Sequence, residues 1–85
     1  MNTGETLFTG DTRFDSFIPA TPSSVVKGAY HDRLMNELVV NFTNGTSYKL
    51  TGVDTGTYEE FKAASSLGSF FNGRLKGKFQ TTKLV

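Results

Sequence analysis

ELVVNFTNGTSYKL, residues 37–50, decides the fold. Two runs of strand-forming residues flank Asn44-Gly45, the strongest short-range signal for a β-hairpin. A two-residue Asn-Gly loop would set Val40 opposite Lys49 and Phe42 opposite Ser47, mixing apolar and polar side chains on one face. A three-residue loop, Thr43-Asn44-Gly45 with Gly45 left-handed and a bulge, instead pairs Phe42 with Thr46, Val40 with Tyr48 and Leu38 with Leu50. That register gives one apolar face of Leu38, Val40, Phe42, Tyr48 and Leu50. It leaves Val39, Asn41, Ser47 and Lys49 for solvent or a partner.

Upstream, Val25 to Tyr30 reads as a further strand with a weak point at Gly28, and His31-Asp32-Arg33 begins a turn. Downstream, Thr57-Tyr58-Glu59-Glu60 fits a capping box, which predicts a helix starting at Thr57 with Glu60 closing the first turn. Tyr58, Phe61 and Ala64 or Ser65 then form the stripe that covers the sheet. Gly68 interrupts, and Ser69 to Asn72 predicts one more helical turn ended by Gly73. An extended Leu75 to Phe79 would put Leu75, Gly77 and Phe79 on one side and Lys76 with Lys78 on the other. The expected fold is α+β: a three-stranded antiparallel meander packed by one helix and a short C-terminal helical turn, preceded by an extended arm.

The chain divides into an arm at residues 1–23, a domain at 24–79 and a tail at 80–85. The arm is rich in Thr, Gly, Ser and Pro, yet carries Leu7, Phe8, Phe14, Phe17 and Ile18. Segments that only solvate are poor in aromatics, so this arm is expected to lie on something: its own domain's open edge or another chain.

At 85 residues the chain makes one domain, which buries only about 60–65% of the surface exposed on unfolding. With no cysteine and one histidine, it has no disulfide framework and no natural zinc or iron site, so no cofactor is expected. The first residues lack the basic start and apolar run of a signal peptide. No stretch approaches the roughly 20 apolar residues of a membrane span. A cytoplasmic location on synthesis is expected. Asn41-Phe42-Thr43 and Asn44-Gly45-Thr46 match the N-glycosylation pattern but are read as strand and turn.

The net charge is +1, yet every charged residue after Phe61 is basic: Lys62, Arg74, Lys76, Lys78 and Lys83. Arg74, Lys76 and Lys78 form a candidate strip for an anion or nucleic acid. The segment lacks the strand, loop and Gly-Lys-Ser/Thr ending of a nucleotide P-loop. His31 beside Asp32 is adjacency in a turn, not a triad, and Glu59 and Glu60 point about 100° apart on a helix. No catalytic residue is assigned.

From Ser23 to Phe79 the chain resembles the KTSC family. The landmarks are Ser23-Ser24-Val25, Tyr30, Phe42 to Tyr48, Gly52-Val53, Tyr58, Phe61, and above all Gly68-Ser69-Phe70-Phe71-Asn72 followed by Leu75-Lys76-Gly77-Lys78-Phe79. The resemblance implies a small domain without an established enzymatic role, found at the carboxyl end of some lysyl-tRNA synthetases and free-standing in bacteria and phages. RNA binding has been suggested for the family, partly from a central Tyr-x-Tyr pair. Here Tyr48-Lys49-Leu50 replaces it, removing one flat face on which a base would stack.

The expected function is a non-catalytic interaction or assembly module, present in several copies or as a homo-oligomer. It would dock on a larger protein assembly or neighbouring subunits through the arm, as small phage accessory proteins do. The alternative is a nucleic-acid or nucleotide-binding module using Arg74, Lys76 and Lys78, with Lys27 and Lys49.

Overall fold

The computed structural model describes residues 13–19, 23 and 25–85. Five strands form one antiparallel sheet in chain order: β1 (Phe14–Phe17), β2 (Val26–Asp32), β3 (Glu37–Phe42), β4 (Ser47–Thr51) and β5 (Gln80–Lys83). Between β4 and β5 come helix α1 (Thr55–Ala63), the short helix α2 (Leu67–Phe70) and a π-helical turn, Phe71–Leu75. The α+β class and antiparallel sheet agree with the sequence reading. The strand count does not: five strands replace the expected three. The additional two, β1 and β5, fall in the segments read as arm and tail.

The hairpin has the three-residue-loop register. Leu38 pairs with Leu50 and Val40 with Tyr48, the Phe42 amide donates to the Thr46 carbonyl at 2.8 Å, and Gly45 has φ +92°. One face of the sheet therefore presents Val26, Ala29, Leu38, Val40, Phe42 and Leu50, which pack with Tyr58 and Phe61 of α1, Leu67 of α2, and Phe71 and Leu75 of the π turn. Val39, expected on the open face, is buried. It sits in the central strand between Tyr30 and Lys49, so cross-strand neighbours on both sides cover it.

The helical region departs from its predicted caps. Asp54, not Thr57, is the N-cap: its carboxylate accepts from the Thr57 amide at 2.8 Å, and the helix begins at Thr55. That bond holds the Asp54 carboxyl below its ordinary range. Glu60, freed from capping, pairs with Arg74 at 3.1 Å. Ser66 caps α2, and the chain continues through Gly73 without stopping, because the Lys76 amide reaches back to the Phe71 carbonyl at 2.7 Å. Lys76 is extended, but Gly77 and Lys78 form a turn, so the expected extended run from Leu75 to Phe79 is broken. Gly77 takes φ +84°, where a side chain would be strained. Leu75 is still buried and both lysines still point to solvent. Gly68 serves close packing: a Cβ there would lie 3.3 Å from the Val25 Cβ.

Candidate interaction site

The arm residues that can be placed begin at Arg13, and they dock in cis. β1 pairs along its length with β2, Phe14 opposite Asp32 and Phe17 opposite Ala29. Strand alternation turns Phe17 inward, where its ring meets Tyr58 at 6.1 Å and Phe61 at 5.7 Å. Asp15 shares that inward face. Its carboxylate accepts from Lys62 at 3.0 Å, and its backbone carbonyl accepts from the Tyr58 hydroxyl at 3.2 Å. Lys62 also lies 4.9 Å from the centre of the Tyr58 ring and 3.2 Å from Glu59. The Lys62 bond holds the Asp15 carboxyl below its ordinary range, and Asp15 in turn raises Lys62. Burial is the main cause that pushes the Tyr58 phenol upward.

Outward from β1, Arg13 grips Asp32 through two nitrogens at 2.9–3.1 Å. Asp32 also accepts from the Leu34 and Met35 amides at 3.0 and 3.2 Å, which fixes the β2–β3 turn. The Arg13 hydrogen bond leads the causes that hold the Asp32 carboxyl below its ordinary value, with the two amides adding to it. His31 is not a turn residue. It lies in β2, almost fully buried, donates from Nε2 to the Val53 carbonyl and stacks on Tyr58 at 4.9 Å between ring centres. His31 and Asp32 thus face opposite sides of the sheet and form no pair.

Phe14 and Ile18 remain on the surface, 46% and 82% exposed. Leu7 and Phe8 lie outside the described residues. Ile18 borders an open groove of about 610 Å³ on the sheet face away from the helices. Lys27, Gly28, Tyr30, Asn41 and Ser47 are among the other residues that line it. A bulge between Val26 and Gly28 shapes its floor.

The C-terminal cations are divided. Arg74 lies 5.0 Å over the Phe70 ring and bonds Glu60, whereas Lys76 and Lys78 form no ion pair among the described residues. Tyr48 meets Phe42 edge-on at 5.7 Å and Phe71 at 6.1 Å, so it packs with the core rather than forming a free stacking platform. Lys49 lies 4.0 Å from Glu37.

A helix-covered antiparallel sheet with its first strand clamped by polar bonds and its other face open defines a small α+β domain. Residues 22–79 match the KTSC domain family, and the chain belongs to that family. A protein from Tsukamurella paurometabola is 32% identical over 62 residues, which make up 73% of this chain and 92% of that one. The crystal structure of a KTSC domain protein from Yersinia pestis is similar with a TM-score of 0.73 at 29% identity, covering 85% of this chain and 99% of that chain. β1 and β5 both lie outside the matched residues.

The sequence reading missed the Arg13–Asp32 and Asp15–Tyr58–Lys62 contacts. Their partners are 19 to 47 residues apart, and no local pattern connects them. The turn motif Asp32-Arg33-Leu34-Met35 was a usable signal, since an aspartate that opens a turn accepts amides two and three residues on.

Proposed function

We propose that this protein is a non-catalytic interaction and assembly module, a small accessory protein of the phage-particle type that docks on a larger protein assembly through its amino-terminal arm. The supporting observation is the division of labour within the arm. Phe17 is spent on the core and Arg13 and Asp15 clamp β1, while Phe14 and Ile18 stay exposed at a rigid anchor to which residues 1–12, with Leu7 and Phe8, are attached. An anchored apolar arm loses less freedom on binding than a free peptide.

Sedimentation of the full chain and of a chain starting at Arg13, each in extract of the source particles or cells, tests this. The full chain should travel with large complexes. The shortened chain should remain folded and sediment as a small protein, and identical profiles for the two would remove the arm from the function.

A nucleic-acid reading rests on Lys76 and Lys78, exposed close together without carboxylate partners among the described residues. Anisotropy with labelled single-stranded RNA, single-stranded DNA and duplex DNA at two salt concentrations decides it. Salt-sensitive binding that Lys76→Ser with Lys78→Ser abolishes would establish this reading over the first. Absence of binding at low salt would dismiss it.

A further inference from the structure

Among the described residues β5 is bonded on one side only. The Leu84 amide donates to the Ser47 carbonyl at 2.8 Å, and the register continues through Thr82 opposite Lys49 and Gln80 opposite Thr51. Backbone groups alternate in direction along an antiparallel strand. Gln80, Thr82 and Leu84 therefore point theirs into β4, and the N–H and C=O of Thr81 and Lys83 point out of the sheet. Proteins usually blunt such borders with proline, a bulge or several charges. β5 has no proline and no bulge, and Lys83 is its one charge. The opposite border, β1, is joined at both ends by segments outside the described residues, whereas the chain leading into and out of β5 is described throughout.

We propose that β5 joins two copies of this chain, pairing antiparallel with its own image across a two-fold axis centred on Thr82. The register follows from the outward groups. Centred on Thr82, Thr81 of each copy faces Lys83 of the other, and all four outward backbone groups of each strand find partners. Centred on Thr81, the Lys83 groups have no partner within the strand; centred on Lys83, two ammonium groups meet head-on. Only the Thr82 centre satisfies the backbone and keeps like charges apart. It also lays Leu84, 48% exposed, beside Gln80 of the second copy, and sets the two Thr82 side chains against each other. An isologous contact closes after two copies instead of propagating. It uses no residue before Gln80, so it is independent of the arm.

The chain has no cysteine, so introduced thiols report the contact alone. At the two-fold centre the paired Cα atoms stand about 4.5 Å apart, within the disulfide span of about 4.4–6.8 Å. Under mild oxidation Thr82→Cys should give a covalent dimer much faster than Thr81→Cys, which is out of register with itself, or Asn72→Cys on the helical side. The unmodified chain should show a concentration-dependent dimer by sedimentation. Thr81→Pro removes an outward N–H, along with the bond from the Thr81 hydroxyl to the Phe79 carbonyl at 3.0 Å, and should give a monomer with an unchanged circular dichroism spectrum.

A chain that stays monomeric up to millimolar concentration overturns the proposal, as does Thr82→Cys cross-linking no faster than Asn72→Cys. Removing residues 1–12 should leave the dimer intact. A dimer lost on that deletion, with slow Thr82→Cys cross-linking, would support the arm and eliminate the β5 contact.

Discussion

Tyr58 is where the arm, the sheet and the first helix meet. Its ring lies between His31 and Phe17, and its hydroxyl reaches the Asp15 carbonyl. Tyr58→Phe keeps the ring and leaves one carbonyl short of a donor, for an expected loss of about 1 kcal/mol, read as a lower midpoint in urea. The phenol ionises less readily in the folded chain than in the unfolded one. Its contribution is therefore complete below the unfolded phenol value of about 10 and is lost as pH rises above it. Asp15 behaves in the opposite sense. Its carboxyl is held low by Lys62, so its stabilisation is complete above the unfolded value of about 4. That stabilisation disappears as pH falls through the folded value. Urea midpoints measured from neutral pH downward should drop below about pH 4, and Asp15→Asn should flatten part of that drop.

Among the elements, the β3–β4 hairpin was legible because alternation and the Asn-Gly turn point to one register, and only that register keeps apolar side chains together. β1 was not. Its four residues, Phe-Asp-Ser-Phe, place an aspartate at an inward position, and what makes that acceptable is Lys62, 47 residues away. β5, Gln-Thr-Thr-Lys, has no apolar residue by which to announce a face. The helix start was ambiguous, since Asp54 and Thr57 are both capping residues and the Glu60 box favoured the wrong one. The candidate site was half legible: the arm's aromatics were visible, but their division between core and surface depends on the strand that β1 makes. Phe17→Ala tests whether β1 is integral. A loss of about 3 kcal/mol, the low end for phenylalanine truncation in a core, should be accompanied by amide exchange along β1.

For the whole molecule the thin core leaves little tolerance. Nearly all its large apolar groups come from the sheet face and five points on the helical layer, so one truncation is a sizeable fraction of total stability. Leu38→Ala, fully buried between β2 and β4, should cost about 2–5 kcal/mol and bring thermal unfolding close to ambient temperature. Gly68→Ala tests the same economy from the other side. The added methyl would stand 3.3 Å from the Cβ of the exposed Val25, so the sign of the change in thermal midpoint reads whether Val25 can give way.

The strand order has a mechanical consequence. Phe14, Asp32, Glu37, Thr51 and Gln80 stand in one row across the sheet, and Phe17, Ala29, Val40, Tyr48 and Lys83 in another. β1 and β5 therefore run in the same direction along opposite borders. Tension applied before Phe14 and after Lys83 pulls both border strands lengthwise past their neighbours. Ladder hydrogen bonds lie across that direction, so they resist together instead of opening one at a time. Held by its two ends, this small domain acts as a clasp loaded in shear.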